Sequence, residues 1–195
     1  LLEVGTWDPR EEYWGEPGEP LAPVVRAIIA RGPRPAYEME QVIPGADPDD
    51  FDSDPIIAAG ERFEGGDRAG ATALLMELLA ADLRCLDAHA HLGNFAFERD
   101  PARAREHYRV GAAIGDLSLG DGFGGVLSSG DVDNRPFHRC LHGLGNTAWR
   151  LGDLDEARAV LTRLLWLDPT DRVGARFCLA AIAAGQRWEE AMTAW

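Results

Sequence analysis

Apolar residues recur at helical spacing along most of the chain, and the clearest run lies between Asn134 and Thr170. Phe137, Leu141, Leu144, Ala148 and Leu151 follow at steps of four, three, four and three, which puts them on one helix face. Gly152-Asp153 interrupts the run; Asp153 is a good N-cap, and Glu156 stands three residues on, as in a capping box. A second stripe of Leu154, Ala157, Val160, Leu161, Leu164 and Leu165 ends at Asp168-Pro169, because proline disfavours helix in the residue before it. The pattern predicts two helices joined by a tight turn. Neither buries its stripe alone, so the pair needs other pairs to stack on.

Weaker versions of the same pattern flank this pair. Val24, Val25, Ile28 and Ile29 predict a short helix over 21–31, with Pro23 in its first turn, where a missing N–H costs little. Residues 55–82 read as a helix pair turning at Gly65-Gly66-Asp67, and 87–114 as another, with Pro101 opening its second helix. A fourth pair begins near Asp171, turns at Gly185–Trp188 and is expected to be truncated at Trp195. Between the pairs lie two irregular stretches: a Gly/Pro-punctuated arm over 1–20, and a Gly-rich segment over 115–133. The expected division is an arm, short helix and acidic connector over 1–52, then a helical repeat domain over 53–195 carrying an insertion at 115–133.

The run from Leu141 to Pro169 resembles a tetratricopeptide repeat, with Leu144-Gly145, Gly152, Ala157, Leu161 and Pro169 in the order of that helix-turn-helix motif. Leu92-Gly93, Ala104 and Tyr108 follow the same order one pair earlier. Ala104 and Ala157 are 53 residues apart, which exceeds the 34-residue period by the length of the insertion. The segment from Asp133 to Gly152 also looks like a bacterial subgroup of these repeat proteins. The resemblance implies an all-α fold, a right-handed stack of helical hairpins forming a TPR-like α-solenoid of about three to four repeats, with an N-terminal helix and irregular arm. It also implies a role in protein–protein interaction, with a peptide or partner protein held in the concave groove that the first helices line.

On that face of the helix over 135–151, Arg139, His142, Asn146 and Trp149 form a second stripe roughly 160° from the apolar one. Arg150 lies beside it. By repeat alignment the counterparts are Asn94 and Phe97 in the second pair, and Val173 and Arg176 in the fourth. Asn94, Asn146 and Arg176 resemble part of the carboxylate clamp with which some family members hold a peptide C-terminus, although Ala90 and Ala180 occupy two of its basic positions. The peptide-binding residues expected from the resemblance are therefore Asn94, Phe97, Arg139, His142, Asn146, Trp149, Arg150 and Arg176. Packing of Trp149 beneath the arm or insertion is the competing role for that residue.

Charge narrows the partner. The chain carries 33 acidic and 19 basic residues, a net charge of −14, which disfavours nucleic acid and anionic membrane surfaces. The acidity is concentrated in residues 1–60, with 13 acids to 4 arginines, whereas 131–195 hold 9 acids to 8 arginines. Arg139, Arg150 and Arg176 then suggest a locally positive groove suited to an acidic or carboxylate-ended peptide, or one that the chain's own acidic arm fills. Three scattered cysteines argue against a disulfide framework, and no apolar run reaches the ~20 residues of a membrane span, so a cytoplasmic location is expected.

Catalytic chemistry finds little support. No HExxH, CxxC or GxSxG motif is present, and no helix face collects three of the histidines and cysteines. Asp50, Asp52 and Asp54 echo a calcium loop but lack its turn glycine and run into Pro55. The glycines of 115–133 lack the strand and helix setting of a phosphate loop. Neither enzyme activity nor a cofactor or metal is expected. Competing readings are an enzyme or small-ligand protein whose site lies between the insertion and the groove, and a structural fragment of a larger multi-domain protein.

Overall fold

The computed structural model describes residues 1–16, 18–47, 49–50 and 53–193. Most of the chain is helical, with one two-stranded sheet. The order is β1 (Leu2–Trp7), α1 (Pro23–Arg31), β2 (Arg34–Glu38), α2 (Pro55–Glu64), α3 (Arg68–Ala81), α4 (Leu86–Phe97), α5 (Pro101–Leu119), α6 (Arg135–Arg150), α7 (Leu154–Leu167), α8 (Ala175–Ala183) and α9 (Trp188–Thr193). Asp52, of the calcium-like spacing, and Trp195, at the end of the fourth pair, lie outside the described residues.

Three of the helix-to-helix turns share one device. Gly66, Gly152 and Gly185 adopt φ of +91°, +85° and +74°, which glycine reaches without steric cost. The next N–H then reaches back into the finished helix: Asp67 N to the Arg62 carbonyl, Asp153 N to Ala148 and Gln186 N to Ala181. The α4–α5 turn has no such glycine. There Asp100 N closes on the Ala96 carbonyl, four residues back where the other turns reach five. Aspartate side chains start α2, α3, α5 and α7, accepting from Ile56, Gly70, Arg103 and Glu156 N–H respectively. Asp54 of the calcium-like spacing is the first of these caps. At α7 the Glu156 carboxylate takes Arg105 and Arg109 of α5, so the capping interaction seen runs from Asp153 alone, and two helices are tied by charge.

Each helix from α2 to α7 packs on the next in sequence; in addition α2 meets α4, α4 meets α6, and α6 meets α8 and α9. Glycines set the closest approaches. A Cβ on Gly111 would strike Cys140 Sγ, one on Gly115 the Phe137 ring, and one on Gly145 the side chain of Leu161. Gly115 therefore lies inside α5, and the helix continues to Leu119, five residues into the segment read from sequence as insertion. The main core runs from Trp7 and Ile28 through Tyr108, Phe137 and Leu141 to Leu161, Leu165 and Ile182, with a smaller cluster of Ile56, Ala59, Leu75 and Leu92 under the first pair.

The arm is not irregular throughout, as the glycines and prolines suggested. β1 pairs antiparallel with β2, Trp7 opposite Arg34, with a register irregularity between Glu3 and Gly5. The Gly-rich segment adds to the same sheet, since Tyr37 N donates to the Val126 carbonyl and Val126 N to that of Pro35. Leu127 N then reaches the Leu167 carbonyl at the end of α7. Asn134, fully buried, holds the junction: its Oδ1 accepts from Met39 N, and its Nδ2 donates to the carbonyls of Tyr37 and Ser128. Arm and insertion are thus both bonded to β2, and the insertion is bonded in turn to the end of α7. Among the described residues, no helix is long and apolar enough to cross a membrane.

Candidate functional site

Five of the eight residues singled out from sequence line one cleft of about 220 Å³: Asn94 and Phe97 from α4, and Arg139, His142 and Asn146 from α6. Tyr108 of α5 and Gly143 complete it. Among the described residues, none of the N-terminal arm or of the Gly-rich segment is in its wall. The residues meet because α4 and α6 lie against each other and both carry a glycine, Gly93 and Gly143, where the Tyr108 ring packs. Tyr108 was legible only as a repeat-pattern residue. Its place in the wall depends on two helices closing on a third, which one helix's periodicity does not report.

The cleft is polar with an aromatic lining. Tyr108 Oη donates to Asn94 Oδ1 at 2.7 Å, and burial raises the Tyr108 pKa well above its ordinary range, so the group is a neutral phenol. Asn146 Nδ2 lies 3.1 Å from His142 Nε2. Burial lowers the His142 pKa, with the charge of Asp171 opposing, so the imidazole is neutral at pH 7. Asn146 Oδ1 is buried with no hydrogen-bond partner among the described residues. An unused acceptor in such a place is expensive unless a ligand or water supplies a donor.

The expected positive patch is internally neutralised. Arg139 Nη1 bonds Asp87 Oδ1 at 2.6 Å. Asp87 also sits 3.3 Å from His91 Nδ1; burial opposes ionisation of Asp87, but His91 and Arg139 together hold its pKa below the usual carboxylate value. Arg176 is paired with buried Asp171 at 2.8 Å, and takes that carboxylate through its backbone N–H as well. Arg150 donates to the carbonyls of Phe97 and Glu98 and stacks on Phe97 and Trp188. Trp149 is 3% exposed, and its Nε1 donates to the Gln186 carbonyl at 3.0 Å, so its indole joins α6 to the α8–α9 turn. Trp149, Arg150 and Arg176 are therefore outside the cleft. The hydrogen bond of the Trp149 indole goes to the fourth pair.

Metal-binding geometry is absent among the described residues, where no three His, Cys, Asp or Glu side chains converge. His138 shares a helix face with His142 in the sequence but is buried, 4.0 Å from Asp168, beside Leu127 of the Gly-rich segment. Cys85, Cys140 and Cys178 are buried free thiols, and burial raises the pKa of each, that of Cys178 to about 11. Such thiols are unreactive packing groups. No family model, curated protein or solved structure matches the chain.

Proposed function

We propose that the chain is a protein-interaction module, a tetratricopeptide-type stack of hairpins whose first-helix face takes an extended peptide segment from a partner. The observation that carries this reading is the convergence of Asn94, Tyr108, His142 and Asn146 on one cleft with a buried, unused acceptor at Asn146 Oδ1. Contacts of α2 with α4, α4 with α6 and α6 with α8 support a repeat stack, because they line up the first helix of each pair. Side-chain amides reading a peptide's N–H and C=O groups, beside Phe97 and Tyr108 for an apolar side chain, are the chemistry on offer. An acidic or carboxylate-ended peptide would engage Arg139 only by competing with Asp87, so charge is secondary and amide pairing primary. The net charge of −14 disfavours nucleic acid.

The test is a peptide-array screen read out by fluorescence polarisation with the wild type, Asn146→Ala and, as a surface control, Arg172→Ala. Peptides that bind wild type and the control but lose about tenfold or more with Asn146→Ala, the loss expected for one buried hydrogen bond, support the cleft. Binding that is indifferent to Asn146, or absent across the array, sinks it.

A further inference from the structure

A second cavity, of about 410 Å³, lies on another part of the molecule, between β2, the Gly-rich segment and α7. Arg31, Arg34 and Arg163 line it together with Phe123, Gly124 and Trp166, and no carboxylate is in its wall. That is unexpected in a chain of net charge −14. Arg163 is held by Asp116 of α5, at 2.9 Å through Nε.

Among the described residues, no carboxylate is hydrogen-bonded to Arg34. It is 5% exposed, and its guanidinium lies between two indoles, 5.1 Å from the Trp7 ring centroid and 5.3 Å from that of Trp166. Nη1 donates to the Trp166 carbonyl at 2.7 Å. Nε and Nη2 have no hydrogen-bond partner among the described residues. Those two nitrogens form one edge of the guanidinium, with parallel N–H bonds spaced to fit the two oxygens of a carboxylate or phosphate. Burial and nearby Arg31 lower the Arg34 pKa to about 10, so the group is still cationic at neutral pH. A buried cation with one edge unpaired is costly unless an anion completes it.

We propose that this cavity binds a small molecule bearing an oxyanion, a carboxylate or phosphate monoester on an aromatic or apolar body, with the oxyanion on the Nε/Nη2 edge of Arg34 and the body against Phe123 and Trp166. Both nitrogens are buried, so binding includes a side-chain movement in the wall, where Trp166 is partly exposed. Gly124 is the entry point for a test, because a side chain there has open space, with only the Gly122 carbonyl at 3.9 Å from its Cβ. Ala159 of α7 also lines the cavity and is exposed.

Titration calorimetry on the full chain with phenyl phosphate, benzoate and inorganic phosphate tests the proposal. Saturable binding of phenyl phosphate or benzoate is expected, with the tighter of the two identifying the oxyanion, and about tenfold weaker binding of inorganic phosphate, which lacks the body. Gly124→Leu, which fills the cavity, and Ala159→Glu, which adds a like charge, should each weaken binding about tenfold with unchanged circular dichroism and Tm. Arg34→Lys keeps the charge and loses the paired N–H edge, so it should weaken binding as well. The proposal is overturned if folded wild type shows no saturable heat with any probe to about 10 mM, if inorganic phosphate binds as well as the aromatic anions, or if Gly124→Leu and Ala159→Glu bind like wild type.

Discussion

The ring of Tyr108 occupies the space that the missing side chain of Gly143 leaves, and it meets Gly93 in the same way from the other side. One aromatic ring of α5 thus fixes how closely α4 and α6 approach, and the cleft is built on that spacing. Gly143→Ala should cost about 1–3 kcal/mol by overpacking, which outweighs the ~1 kcal/mol that alanine gains in helix propensity. Gly60 of α2 is the counter-case: a Cβ there meets nothing within 4 Å, so Gly60→Ala should raise stability by up to about 1 kcal/mol. Urea denaturation midpoints that shift the same way in both variants would contradict this packing account.

The hydroxyl of Tyr108 separates from its ring. Tyr108→Phe keeps the packing and loses the bond to Asn94, so the expected loss is only about 0.5–1.5 kcal/mol, alongside weaker binding of any peptide that uses Asn94. A loss as large as that of Gly143→Ala would mean the hydrogen bond, not the ring, holds the helices.

How much of this was legible in the sequence depends on whether the cause was local. The Leu141–Leu161 hairpin and its Gly152 turn could be read because stripe, cap and breaker lie within thirty residues. Trp149 shows the limit: it falls on the same helical-wheel stripe as Asn146, yet its indole bonds the fourth hairpin while Asn146 stays in the cleft. Arg139 and Arg150 looked like part of a positive patch because their partners, Asp87 and the carbonyls of Phe97 and Glu98, come from another part of the chain, whereas Arg176 pairs with Asp171 only five residues away, before α8 begins. Gly115 reads as a breaker in one dimension, and packing on Phe137 makes it a helix residue in three.

Acid should destabilise the fold well above the carboxylate range. Burial lowers the folded-state pKa of His89, His107, His138 and His142 from the ordinary 6.5, for His138 against the opposing charge of Asp168. The unfolded chain takes up protons near 6.5 that these buried rings refuse, so their contribution is complete above that pH and lost as pH falls below it. His91 has the opposite sign: burial opposes its charge, but its bond to Asp87 and the Asp87 charge raise its pKa, and its contribution fades as pH rises through that raised value. Four groups outweigh one, and the urea midpoint should drop between about pH 7.5 and 5.5. A level or rising midpoint across that interval would show that these rings are hydrated in the folded state.

Asn134→Ala should cost at least about 2 kcal/mol, because it strips partners from Met39 N and the carbonyls of Tyr37 and Ser128, and each buried group left unpaired costs about 1–3 kcal/mol. Asn134→Asp should be no better, since it keeps the acceptor but has no Nδ2 donor. A variant within about 0.5 kcal/mol of wild type would mean that water takes over these bonds.

Treatment with a chelator should leave Tm unchanged, because no three ligating side chains converge among the described residues. A fall of several degrees in a calorimetric scan would reveal a structural ion.

The clamp at Asn134 also sets an order of events while the chain is being made. Met39 and its acceptor are 95 residues apart, and Arg34 and the Trp166 carbonyl are 132 apart, whereas the hairpin turns close over a few residues. Hairpins can therefore pair as they emerge from the ribosome, and β2 can pair with β1, but β2 has to wait for Val126 and Asn134 before its second edge is bridged and the clamp can form. Through that interval its unpaired edge stays open to other strands, and the prolines and acidic side chains that crowd the surrounding sequence are the kind of residues that keep a waiting edge from aggregating.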